Sequence, residues 1–154
     1  MALLDKFDAA RRTRDTLAAL PLNPTDVVIE EVLSATEAMI QGRRTIMAGT
    51  NNYLGLTFDT GAIAAGQAAL AASGTGTTGS RMANGTYRDH LLLEREIAAF
   101  FDLPYAMVFS TGYSANLGSL AALLAPGDAV LLDSEAHASL FDGCRLSGAD
   151  IFRF

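Results

Sequence analysis

An α/β domain with a largely parallel sheet is the fold that this sequence predicts, and three observations predict it. From about residue 88 onward, helical and strand-like stretches alternate: helix, strand, helix, strand, helix, strand. Two of the strand-like stretches, 105–109 and 129–133, are apolar on both faces, as strands covered by helices on both sides are. Between them, Val108-Phe109-Ser110-Thr111-Gly112-Tyr113 runs apolar, breaks at Ser-Thr-Gly and turns helical. The chain has 154 residues, half of them hydrophobic, enough for a domain with a core of its own.

The elements follow in order. Residues 2–20 read as a helix with Leu3, Phe7, Ala10, Leu17 and Leu20 on one side, ended by Pro21 and Pro24. Its modest apolar face makes it an arm rather than a core helix. Val27-Val28-Ile29, Ala38-Met39-Ile40 and Thr45-Ile46-Met47 are short and β-prone, and Gln41-Gly42-Arg43 is a turn, so a small antiparallel hairpin is expected at about 36–48. Asn51 to Leu56 makes a polar-to-apolar turn. Residues 61–72 form an Ala-rich helix. The Gly/Thr stretch 73–81 is neither helix nor central strand; ordered elements on both sides make it a shaped loop rather than a spacer. It is not a nucleotide-binding P-loop, because no Lys-Ser/Thr follows its last glycine.

Residues 88–101 are helical, with Leu93, Ile97, Phe100 and Phe101 as the apolar stripe and Glu94 and Glu96 facing out. His90 lies in the first turn of that helix as a packing or hydrogen-bonding residue. In the next helix, Tyr113, Leu117, Leu120 and Leu124 share one face. Pro126-Gly127-Asp128 is a turn, a short helix runs to about Cys144, and Ile151 to Phe154 begin a strand. The division expected is an arm and hairpin segment at 1–59 and the first part of a larger domain at 60–154. The chain stops in mid-fold, which marks it as an amino-terminal fragment.

Composition narrows the function. The net charge is −6 with a pI near 4.7, and no basic stripe is present, which excludes nucleic acid as the natural partner. A single cysteine, Cys144, can close no internal disulfide and points to a reducing cytoplasm; no metal cluster is indicated. No stretch reaches the ~20 apolar residues of a membrane span.

Parallel sheets bind ligands beyond the carboxyl ends of their strands. Two such ends carry chemistry here. The Ser110–Tyr113 turn points backbone N–H groups and a helix dipole outward, as a phosphate site does, and Gly112 allows close approach. An ordinary turn capped by Ser110 or Thr111 gives the same pattern, so both readings stand on this stretch alone. The turn after Asp133 supplies His137.

Five blocks, in this order, carry a resemblance to a known family: Thr50-Asn51-Asn52-Tyr53-Leu54-Gly55-Leu56; Gly74-Thr75-Gly76-Thr77-Thr78-Gly79-Ser80-Arg81; Asn84 to Glu94; Phe109 to Asn116; and His137-Ala138-Ser139-Leu140-Phe141-Asp142-Gly143. Over about residues 30–154 the chain resembles the α-oxoamine synthases, fold type I enzymes that use pyridoxal 5′-phosphate. They condense an amino acid with an acyl thioester and release CO₂. Ser34 to Ala38, Gly79 to Thr86 and Asp142-Gly143-Cys144 resemble the bacterial serine palmitoyltransferase branch, with Asn51 a departure where that branch tends to have Tyr. That branch implies L-serine and palmitoyl-CoA as substrates, 3-ketodihydrosphingosine as product, and a homodimer with its site at the subunit interface. The sister activities are 8-amino-7-oxononanoate synthase, 2-amino-3-ketobutyrate CoA ligase and 5-aminolevulinate synthase. A truncated, non-catalytic paralogue is the third reading.

The resemblance also implies roles. Gly112 and Tyr113 would give backbone N–H groups to the cofactor phosphate. His137, the catalytic candidate, would lie on the pyridine ring and orient the amino acid. Asn52 would reach the amino-acid substrate, in its own or the neighbouring subunit's site. The 74–81 loop would border the cofactor pocket across the dimer interface, with His90 and Glu94 as fold and interface residues. The family's Schiff-base lysine, pyridine-pairing Asp and second His would lie beyond residue 154; Lys6 is the only lysine here and sits in the arm.

Overall fold

The computed structural model describes residues 5–20, 23 and 25–154, which gather into two compact units, Met1–Gly76 and Thr77–Phe154. Leu3, Pro21 and Pro24, placed above in and after the first helix, lie outside the described residues.

In the first unit, a 3-10 turn over Asp5–Phe7 leads into α1 (Asp8–Ala18). No described residue of α1 is buried, as its modest apolar side foretells. A three-stranded antiparallel meander follows: β1 (Ile29–Val32), β2 (Glu37–Ile40) and β3 (Arg43–Ile46). The predicted hairpin is β2–β3, with Glu37 opposite Ile46 and Ile40 opposite Arg43. Gln41 and Gly42 both take positive φ, 51° and 69°, the backbone twist that a two-residue hairpin turn needs. β1 is the strand the sequence underestimates. It starts at Ile29 rather than Val27 and pairs with β2 from Ile29–Ile40 to Val32–Ala38. Ala38, central in the meander, is 1% exposed. The Arg44 guanidinium grips Glu37 at 3.2 and 2.6 Å and holds its carboxyl below the usual carboxylate range.

α2 (Thr60–Ser73) is one residue longer at each end than the sequence implies. The Asp59 carboxylate caps it by accepting from the Ala62 N–H at 2.8 Å, and Gly74 stops it at φ 80°.

The second unit opens on the Gly/Thr loop. Gly79 and Gly85 lie backbone to backbone: a Cβ on Gly85 would stand 1.8 Å from the Gly79 carbonyl oxygen. Only glycines permit that approach. Arg81 then ties the loop down. Its Nε donates to Thr86 Oγ1 at 3.1 Å, its Nη2 reaches both Glu94 oxygens at 3.0 and 3.2 Å, and Thr86 Oγ1 donates back to the Arg81 carbonyl at 2.9 Å.

The elements that follow are α3 (Arg88–Phe100), α4 (Gly112–Leu123), β4 (Ala129–Leu132), α5 (Ala138–Ser147) and β5 (Asp150–Arg153). β4 and β5 pair in parallel, Ala129 with Asp150 through Leu132 with Arg153, and α5 is the crossover. α4 packs on α5 through Gly143, where an added Cβ would stand 2.9 Å from Leu120 Cβ and 3.1 Å from the Asn116 carbonyl oxygen. Cys144 and Ser139 are fully buried under that contact.

Three expectations are corrected. Residues 105–109 carry no ladder pairing among the described residues, where β4 and β5 pair only with each other. The Val108 N–H donates instead to the Glu94 carboxylate at 3.0 Å. Glu94 therefore does not face out; it turns inward, 15% exposed at its side chain. The Val108 N–H first, and Arg81 after it, outweigh desolvation and hold that carboxyl below the usual range. The buried face of α3 is accordingly the Glu94–Ala98 side, while Leu93, Phe100 and Phe101 are exposed.

Candidate functional site

Two helix starts carry the site, and both are set by local sequence. At α4, Thr111 is extended (φ −147°, ψ 158°), and its Oγ1 accepts from the Ser114 N–H at 3.0 Å. Ser114 Oγ returns the favour by accepting from the Thr111 N–H at 3.2 Å. This reciprocal cap makes Thr111, not Ser110, the capping residue. It satisfies the third helical N–H and leaves those of Gly112 and Tyr113 without an acceptor among the described residues. A Cβ at Gly112 would meet nothing within 4 Å, so the approach to those donors is open. The capped turn is thus observed, and it leaves open the pair of N–H groups that the anion-site reading needs.

At α5, His137 is the cap, and its Nδ1 accepts from the Ser139 N–H at 3.2 Å. Ser139 Oγ lies 2.7 Å from the same nitrogen, and Asn116 Nδ2 donates to that Oγ at 2.9 Å. The His137 ring stands edge-on to Tyr113, with centroids 6.4 Å apart at 75°. The Tyr113 hydroxyl donates to Asp142, whose hydrogen bond pushes the phenol above its ordinary pKa. Arg145 Nη1 reaches the other Asp142 oxygen at 3.2 Å.

The structure therefore brings Gly112, Tyr113 and His137 together, as the sequence foresees. Asn52 lies in the first unit, where its Nδ2 donates to the Ala35 carbonyl at 2.9 Å and to Thr57 Oγ1 at 3.0 Å. Its side-chain carbonyl oxygen has no partner among the described residues. His90 holds to its expected role: its Nδ1 accepts from the Tyr87 N–H at 3.0 Å and closes the start of α3. Asn116, Ser139 and Asp142 are the residues that sequence reasoning gave no role. The one available signal was a serine two places into a helix that a histidine caps.

Beside the α4 start, Ser80, Arg81, His90, Met107, Phe109 and Ser110 help to line an open cavity of about 830 Å³. The Gly/Thr loop is thus one wall of a space that reaches Ser114.

Known proteins place this geometry in a family. The model for aminotransferase class I and II matches residues 44–154. The chain belongs to that family, and its relatives there are α-oxoamine synthases. It is 50% identical over 154 residues to the serine palmitoyltransferase of Caulobacter vibrioides, covering all of this chain and 38% of that protein. It is 48% identical over 110 residues to a putative 8-amino-7-oxononanoate synthase of Bacillus licheniformis, covering 71% of this chain and 29% of that one. Among solved structures, it superposes with a TM-score of 0.93 and 47% identity on a lysine-to-alanine variant of the serine palmitoyltransferase from S. paucimobilis with a bound PLP–myriocin aldimine. All of this chain and 39% of that one are covered. The chain thus spans about two-fifths of the length of these serine palmitoyltransferases, and the fold is the amino-terminal part of theirs.

Proposed function

We propose that this chain carries part of the cofactor floor of a pyridoxal phosphate-dependent acyltransferase. That enzyme condenses L-serine with a long-chain acyl-CoA, palmitoyl-CoA, to 3-ketodihydrosphingosine with loss of CO₂, the first step of sphingolipid synthesis. It works as a cytoplasmic homodimer. The single observation that carries the reading is the pair of N–H groups at Gly112 and Tyr113 with no acceptor among the described residues, on a helix start whose Tyr113 ring lies 6.4 Å from that of His137. Identity of 50% over all 154 residues to the amino-terminal part of a serine palmitoyltransferase supports it.

The residues fit the cofactor. A phosphate needs several donors and room, and the α4 start offers two N–H groups, a helix dipole and a glycine with open space beside it. The bound cofactor supplies an electron sink for the carbanion formed at the amino-acid α-carbon. His137 would meet the cofactor ring and would orient the amino acid through Nε2, which no group among the described residues takes. Tyr113, held by Asp142, backs that imidazole edge-on. Asn52 offers its carbonyl oxygen to the amino-acid substrate, in the site of a second copy. The 74–81 loop borders the cofactor pocket at the dimer interface. In this reading residues 1–59 are the arm and hairpin segment and 60–154 the first part of the large domain. Lys6 takes no part, and the 154-residue chain by itself is inactive.

A second reading is a sister α-oxoamine synthase, favoured by the 48% identity to the Bacillus licheniformis protein. One experiment separates the two. The protein from the complete reading frame is titrated with pyridoxal phosphate, and the absorbance of the bound cofactor is followed as serine, glycine, alanine and threonine are added in turn. A change with serine, followed by CoA release from palmitoyl-CoA, is expected. A response to another amino acid alone moves the assignment to the sister enzyme. No cofactor absorbance at all overturns the proposal.

A further inference from the structure

We infer that Asn116 and Ser139 are positioning residues that hold the ring proton of His137 on Nε2. Hydrogen-bond polarity along the chain of contacts leads there. A backbone N–H can only donate, so the Ser139 N–H at 3.2 Å requires a lone pair on His137 Nδ1. Asn116 Nδ2 can likewise only donate, so Ser139 Oγ spends a lone pair on it at 2.9 Å. The one hydroxyl proton of Ser139 is then directed at Nδ1, 2.7 Å away. Asn116, Ser139 and His137 form a relay with a single sense. Its outcome is an imidazole that donates from Nε2, which no group among the described residues occupies.

The relay is built into the fold. Ser139 is 0% exposed, so no water competes for its hydroxyl. Asn116 sits on α4 and Ser139 on α5, and Gly143 lets the two helices approach closely enough for the bond. The consequence concerns whatever lies against the ring: His137 presents it a donor and so selects an acceptor oxygen. Only the identity of that group, the amino-acid substrate, rests on the function proposed above. The tautomer itself does not.

The test is nitrogen NMR of the full-length protein labelled with ¹⁵N-histidine. His90, whose Nδ1 accepts the Tyr87 N–H with no hydroxyl behind it, is the internal reference for an intact fold. His137 is expected to show a proton-free Nδ1 and a protonated Nε2. In Ser139→Ala the two shifts should move toward each other, while Ser139→Thr keeps them apart. Asn116→Asp should draw the two shifts toward each other as Ser139→Ala does, because a carboxylate takes the Ser139 proton away from Nδ1 and leaves the Ser139 N–H as its sole donor. The KM for the amino acid should rise about fivefold in Ser139→Ala, the size of one neutral hydrogen bond, and recover in Ser139→Thr. A protonated Nδ1 in the unaltered protein overturns the inference. So do His137 shifts that stay put in both Ser139→Ala and Asn116→Asp while His90 reports a folded chain. Failure of the cofactor reading shows up separately, as absent cofactor absorbance with the tautomer unchanged.

Discussion

Thr111 and His137 do the same structural task at the starts of α4 and α5, and they leave opposite things behind. Thr111 trades bonds with Ser114, one hydroxyl against another, so its side chain is used up and two backbone donors stay open. His137 caps with one ring nitrogen and keeps the other free. A small cap exposes backbone; a large cap exposes itself. The first end suits an anion held by N–H groups, the second a flat group met by a ring. The choice of capping residue thus decides what a strand end can bind.

The comparison depends on α4 and α5 staying in register, so the most damaging change is to their contact. Gly143→Val would drive a side chain into Leu120 and the Asn116 carbonyl, at an expected cost of about 3 kcal/mol. Urea unfolding of the full-length protein measures it. A loss below about 0.5 kcal/mol would show that the two helix starts are not coupled through this point. Next in size is Gly112→Pro. Proline is tolerated at a first helical position, and the extended Thr111 before it suits that neighbour, so α4 should survive. One donor is removed. Affinity for pyridoxal phosphate should fall about tenfold or more, read by absorbance titration. Unchanged affinity would mean that α4 does not hold the phosphate.

Thr111→Ala sharpens the contrast from the other side. It should cost about 1 kcal/mol of stability through the lost cap while leaving the Gly112 N–H in place. Thermal unfolding together with cofactor titration separates the two effects. The smallest expected effect is the link between the ends, Tyr113 to Asp142. The phenol is raised in the folded state, so its contribution is fully present below the ordinary tyrosine range and is lost as pH rises through the raised value. A phenolate absorbance titration should show a late-titrating tyrosine that is lost in Tyr113→Phe. No difference between the two titrations would break the link.

Much of this was legible in the residues. The Gln41-Gly42 turn, the stop of the Ala-rich helix before Gly74 and the turn into a helix at Thr111 are local matters, decided within four residues by backbone sterics and side chains that reach their own helix start. That Gly112, Tyr113 and His137 sit at helix starts was readable for the same reason. The Gly/Thr loop announced its shape by composition, though not its fastening. Residues 105–109 misled because an apolar β-prone run shows that a segment can pair, not that a neighbour is there to pair with it. Glu94 misled because helical periodicity places a charge on a face without saying what the next segment brings to that face.

By itself, then, the sequence determined most of the order of the elements, several of their turns, and the two helix starts at Thr111 and His137, since each rests on contacts between near neighbours. Tertiary structure alone decided that Glu94 would hold Arg81 on one side and the Val108 N–H on the other. It alone also joined Asn116 to Ser139 across 23 residues and turned the His137 proton outward. Those bonds exist only once α3 meets the segment after it and α4 meets α5. Desolvation by that packing is what gives a buried serine hydroxyl a single direction to point.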